Sequence, residues 1–188
     1  MAIEMQNVTF SYGGEPVVSD FSLTVPDSGV LCLFGPSGCG KTTVLRLLLG
    51  LEQPEGGTVH RQVHKPAMVF QEDRLLPWKS VLENVTLPLQ DPEEGKAALR
   101  AVGLADEVFD KRPSTLSGGM RRRVAIARAL AADSDWLALD EPFTGLDAEK
   151  RGEIVELIRT YAATRPVVMV THHPEEIALL DAQIIEFA

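Results

Sequence analysis

Gly35-Pro36-Ser37-Gly38-Cys39-Gly40-Lys41-Thr42 brings together the residue types that bind a polyphosphate. Glycines at this spacing let the backbone curl until successive N–H groups face anionic oxygens, and a helix start adds a dipole of the right sign. Lys41 supplies an ammonium that reaches the β- and γ-phosphates, Thr42 supplies a hydroxyl for Mg²⁺, and Thr43 extends the set of candidate nucleotide contacts. A second cluster, Leu137-Ala138-Leu139-Asp140-Glu141-Pro142, is an apolar run that ends in adjacent acids. Asp140 suits the magnesium shell and Glu141 suits an attacking water as general base; side chains alternate along a strand, so the two acids need not point the same way. The loop predicts a nucleoside triphosphate site, and the acid pair predicts hydrolysis there.

Such groups have to stand at the ends of strands. Residues 30–34 form an apolar run before the glycine loop, and residues 42–50 read as a helix ended by Gly50. The runs 136–139 and 167–170 are short and apolar and flank a helical pattern over 147–163, as two parallel strands and their crossover would. Residues 2–34 are rich in β-branched and aromatic residues, and Gly13-Gly14, Pro16 and Pro26-Asp27-Ser28-Gly29 interrupt them. That pattern predicts short strands joined by turns in an antiparallel N-terminal sheet. Between Gln71 and Leu130 the pattern is helical. The chain therefore reads as one α/β unit over 1–188, with its core and N-terminal β part in 1–71 and 131–188 and a helical subdomain over about 72–130.

With 188 residues, 45% of them hydrophobic, the chain can bury one sizeable core. No apolar run approaches the roughly 20 residues of a membrane span. The start, Met1-Ala2-Ile3-Glu4-Met5, lacks the basic and then apolar order of a secretory signal, so a cytoplasmic location is expected. Cys32 and Cys39 have neither metal-ligand nor disulfide-framework spacing and are expected to be free thiols. Eighteen basic against 27 acidic residues give a net charge of −9, which repels phosphate backbones, so no nucleic acid is expected. Arg121-Arg122-Arg123 then reads as a solvated or ion-paired face. His60 and His64 have no setting that suggests a role.

Leu116-Ser117-Gly118-Gly119-Met120, followed by a helical run to Leu130, resembles the signature motif of ATP-binding-cassette ATPases, and the resemblance extends in order over nearly the whole chain. It implies a P-loop NTPase core with a parallel sheet, an N-terminal antiparallel β subdomain and an inserted helical signature subdomain, with ATP and Mg²⁺ as cofactors. Tyr12 is implied as an adenine-stacking aromatic, Gln71 as a contact to Mg²⁺ or the water, Asp147 of Thr144-Gly145-Leu146-Asp147 as the D-loop acid, and His172 as the switch histidine. Residue chemistry agrees: Ser117 and the amides after it open a helix with Met120, Val124, Ala127 and Ala131 on one stripe, where an anion could dock. A neutral imidazole at position 172, after an apolar strand, could orient Glu141 and water, with His173 its rival. Tyr12 could instead be half-buried strand packing. In the family, the signature of one chain meets the γ-phosphate held by the other, so two chains sandwich two nucleotides.

Val69-Phe70-Gln71-Glu72-Asp73-Arg74-Leu75-Leu76-Pro77-Trp78 resembles the corresponding stretch in importers of nitrate, sulfonates and taurine. The implied function is that of the ATP-hydrolysing subunit of an importer for a small organic or inorganic anion-type solute, peripheral on the cytoplasmic face of the membrane. Its implied partners are a second ATP-binding subunit, transmembrane permease subunits and, indirectly, a solute-binding protein. Leu75, Leu76 and Trp78 would line the groove for a permease coupling helix, or else fill the helical core. A cassette of nucleic-acid repair or translation is the alternative, although its long coiled-coil insertion or second cassette is missing here. Three departures stand out: Met120 where glutamine is commonest, His173 where an acid is usual, and an end soon after His172 without the C-terminal helices of most relatives. The last would leave dimerisation to nucleotide and membrane partners.

Overall fold

The computed structural model describes residues 3–63, 65–89 and 91–187; His64 lies outside them. Gly13 and Gly14 form a tight turn between β1 (Ile3–Tyr12) and β2 (Glu15–Val25), which pair antiparallel, and β4 (Gly56–Arg61) adds to the other side of β1. The expected short strands are therefore two long ones. Pro16 does not interrupt β2 because that strand lies at the edge of the sheet, where a missing N–H costs no ladder bond. The breaks appear instead as register shifts within the β1–β2 pairing.

The second sheet is five-stranded and parallel, in the order β5 (Pro66–Val69), β6 (Trp136–Asp140), β7 (Pro166–Thr171), β3 (Gly29–Phe34), β8 (Gln183–Glu186). It is covered on both faces, and the period-two alternation of its strands divides the core. Cys32, Leu137, Leu139, Val167 and Met169 face one side, with α2 (Val81–Thr86), α3 (Pro92–Ala101), α4 (Gly118–Ala131), α5 (Ala148–Ala162) and α6 (Pro174–Leu180) supplying that cluster. Leu31, Leu33, Ala138, Val168 and Val170 face the other, against α1 (Lys41–Leu49) and the antiparallel sheet.

The parallel register sets up the chemistry. Phe34 pairs with Thr171, Asp140 with Val170, and Val69 with Leu139. The carboxyl ends of β3, β6, β7 and β5 thus share one edge of the sheet, the edge where ligands bind in α/β folds. Gly35, Glu141, His172 and Gln71 follow closely on these ends. Between β5 and β6 the chain is helical, built from α2, α3 and α4 with short 3₁₀ turns at Asp106–Val108 and Pro113–Thr115. Among the described residues, no helix is long and apolar enough to cross a membrane.

Candidate functional site

The glycine loop closes onto α1 through Gly40, whose φ of 96° is open to glycine and whose carbonyl accepts from Val44 N–H at 2.9 Å. Lys41, only 5% exposed, lies back over the loop: its ammonium donates to the carbonyls of Gly35 at 2.8 Å and Pro36 at 2.5 Å, with Cys39 Sγ 3.5 Å away. Cys39 in turn donates to the Pro36 carbonyl. Both cysteines are free. Thr42 Oγ1 donates to Asp140 Oδ1 at 3.2 Å, joining two segments that lie 98 residues apart.

Asp140 is buried, and that burial pushes its carboxyl above the usual range; the Thr42 hydroxyl draws it down and the charge of Glu141 pushes it up again. A cation beside Asp140 would relieve that desolvation. Among the described residues no three His, Cys, Asp or Glu side chains gather as a metal cluster. A Mg²⁺ ion held by phosphates needs only one or two protein ligands. Thr42 and Asp140 side by side, with Gln71 lining the same recess, fit that demand.

Glu141 diverges from Asp140 for a reason other than strand alternation. Its φ of 49° is left-handed, a strained conformation for a carboxylate residue, and its N–H is tied to the Val170 carbonyl at 3.0 Å. The turn aims its carboxylate at His172, with Oε1 2.9 Å from Nδ1. His173 stacks on His172 at 4.0 Å between ring centroids, while its own Nδ1 lies 3.6 Å from Glu175. The histidine in contact with Glu141 is therefore 172 and not 173.

A cavity of about 330 Å³ unites Tyr12, Ser37, Gly38, Gly40, Lys41, Thr42, Thr43, Gln71 and Glu141. That volume is at the scale of a small-molecule site. Tyr12 is 43% exposed, stands edge-on to Phe10 and donates to Glu52 at 3.1 Å, which leaves ring surface towards the loop. The segment Leu116, Ser117, Gly118, Gly119 and Met120 does not line this cavity. Ser117 caps α4 by accepting from Met120 N–H at 3.3 Å, and Asp147 caps α5 by accepting from Lys150 N–H at 2.9 Å.

A family model described as ABC transporter matches residues 18–144. The chain belongs to the ABC transporter family. Its relatives include the aliphatic sulfonates import ATP-binding protein SsuB 1 of Agrobacterium fabrum, 41% identical over 98% of this chain and 70% of its own length. SsuB 1 of Rhodococcus jostii is 41% identical over 98% of this chain and 78% of its own. Among solved structures, the dimeric ATP-binding cassette MJ0796 in a post-hydrolysis state, bound to ADP and Pi, superposes with a TM-score of 0.86. It is 28% identical over 98% of this chain and 94% of that one.

In this ABC family member three polar clusters support the loops and helices around the site, and two of them, at Asn84 and Arg61, have no counterpart in the sequence reading. Arg122, 4% exposed, takes the ion-paired form of the two expected for the arginine run: it donates to the carbonyls of Phe70 and Gln71 and pairs with Asp73 at 3.4 Å. Arg128 extends the clamp to the carbonyls of Asp73 and Arg74. Asn84, fully buried, accepts from Leu76 N–H and donates to the carbonyls of Leu76 and Ser80. It fixes the loop on which Trp78 is 67% exposed, whereas Leu75 and Leu76 are half-buried. Arg61 donates to the carbonyls of Leu47 and Leu48, at the end of the phosphate-loop helix. An arginine that would satisfy helix-end carbonyls, or a buried amide in a turn, carries no local pattern to find it by.

Proposed function

We propose that this chain binds and hydrolyses ATP as the energising subunit of an ABC importer. The observation that carries the reading is the single cavity shared by Tyr12, the glycine loop, Gln71 and Glu141, from which the signature residues are absent. The adenine stacks on Tyr12, the phosphates lie along the amides of residues 35–43, and Lys41 exchanges the Gly35 and Pro36 carbonyls for β- and γ-phosphate oxygens. Thr42 and Asp140 hold Mg²⁺, which neutralises phosphate charge when bound. Glu141 polarises the attacking water, and His172 and Gln71 orient it; most of the rate comes from this positioning and from charge placed around the γ-phosphate.

A signature outside its own cavity makes sense if it serves another copy. Two chains would meet head to tail, with Ser117, Gly118 and Gly119 of each capping the nucleotide of the other and Asp147 lying at the seam. The dimeric state of the neighbouring cassette structure supports this arrangement. Closing and reopening of the dimer would move permease subunits in the membrane, received on the cytoplasmic side near exposed Trp78. The names of the relatives support an importer for an anionic solute of the sulfonate type; a solute-binding protein would deliver that solute to the permease.

The test is Glu141→Gln, sized by light scattering with and without ATP·Mg²⁺, beside hydrolysis by the unaltered chain. An ATP-dependent dimer in which turnover has been lost is the expected result. A monomer throughout, with the unaltered chain also inactive, overturns the reading.

A further inference from the structure

Glu176, in the first turn of α6, is a carboxylate only 4% exposed that does not line the nucleotide cavity. Thr171, the fully buried last residue of β7, donates its hydroxyl to Glu176 Oε2 at 2.5 Å. The same hydroxyl oxygen accepts the backbone N–H of His173 at 3.0 Å. His172 lies between these two ties: residue 171 is fixed in the sheet opposite Phe34, and residue 173 is fixed to the side chain of residue 171.

Burying a carboxylate costs free energy that an apolar residue in this turn would not. Burial indeed pushes the Glu176 carboxyl up, while the Thr171 hydroxyl and the charges of His173 and Arg151 draw it down and that of Glu175 pushes it up. Arg151 enters from α5, the helix that Asp147 caps, and shares with Glu176 a cavity of about 170 Å³ that also touches Gly145 and His173. Its Nε is buried and has no hydrogen-bond partner among the described residues. The D-loop side and the histidine turn therefore face each other across unspent polar capacity.

We propose that Glu176 is a positioning residue for the hydrolytic reaction: through Thr171 it holds the His173 backbone and so sets the His172 ring against Glu141. The inference rests on the role given to His172 above. A change in how Arg151 meets Glu176 would reach Glu141 by the same path.

The test uses the full chain carrying Glu176→Ala, Thr171→Val or Thr171→Ser, each alone and combined with His172→Ala, with ATP turnover followed long enough to read slow variants. Glu176→Ala and Thr171→Val are expected to lower kcat by roughly tenfold or more, the scale of displacing a reacting group by about an ångström. KM for ATP should stay within about twofold, Thr171→Ser should recover most of the loss, and in the His172→Ala background the further loss should stay under about twofold. Equal losses in both backgrounds, or a change confined to KM, overturn the inference. If His172→Ala leaves kcat unaltered, the role of His172 falls and takes this inference with it. If His172→Ala lowers kcat and neither Glu176→Ala nor Thr171→Val does, this inference alone falls. Should Glu176→Ala fail to fold, the near-isosteric Thr171→Val and its Ser counterpart decide the outcome.

Discussion

Arg122 donates its guanidinium to the backbone carbonyl of Gln71, 51 residues earlier in the chain. A residue lining the cavity is thereby tied to α4, the helix that Ser117 caps. Asp73 sits under the same guanidinium, with Arg121 a further 3.7 Å contact. Arg122→Met would leave half-buried Asp73 to Arg121 and would remove the donor to the carbonyls of Phe70 and Gln71. Losing a charged donor from partly buried acceptors costs about 1–3 kcal/mol, which denaturant midpoints would register. A loss below about 0.5 kcal/mol would mean that water replaces the guanidinium freely.

That clamp also marks the limit of what the sequence discloses. The glycine loop and the acid pair are legible because each is contiguous and the strand that presents each is a plain apolar run. Their convergence is legible too, since parallel strands with helical crossovers put their carboxyl ends on one edge. Arg122 is not, because in a row of three arginines nothing local distinguishes the buried one from its half-exposed neighbours. Glu176 is hidden among the acids of a short helix for the same reason. β4 is not legible either, because Gly56-Gly57-Thr58-Val59-His60-Arg61 is half-exposed and polar, and only its pairing with β1 makes it a strand.

Tyr12 offers a direct test of the nucleotide pose. Tyr12→Ala should raise KM for ATP by roughly ten- to a hundredfold, the loss of one base stack, while kcat holds. Tyr12→Phe should stay near the unaltered value, because the surface bond to Glu52 carries little energy. An unchanged KM in Tyr12→Ala would return this ring to strand packing against Phe10.

Asp140 couples the site to pH. Since burial raises its carboxyl in the folded chain, the folded state holds that proton more tightly than the unfolded one. Its contribution to stability is greatest below the ordinary carboxylate range and is lost as pH rises through the folded pKa. Asp140→Asn should therefore melt higher than the unaltered chain at neutral pH without nucleotide, with the gap closing towards about pH 4, while hydrolysis is lost. Equal or lower melting of Asp140→Asn at neutral pH would show that the Thr42 bond outweighs desolvation.

Gly119 separates binding from turnover. A Cβ there would fall 2.8 Å from the carbonyl oxygen of Gly145, a backbone atom with nowhere to yield, so Gly119→Ala wedges the signature turn away from the D-loop. Overpacking of this kind costs about 1–3 kcal/mol, partly returned by alanine's preference for a helix. Nucleotide affinity of the single chain should stay unchanged, because residues 116–120 do not line its cavity. Hydrolysis should fall by more than about tenfold, because the group that completes the site is displaced by roughly an ångström. Calorimetric titration of nucleotide beside a turnover assay reads both quantities. Affinity lost in step with turnover would place the signature on the nucleotide of its own chain, and the head-to-tail arrangement would have to be given up.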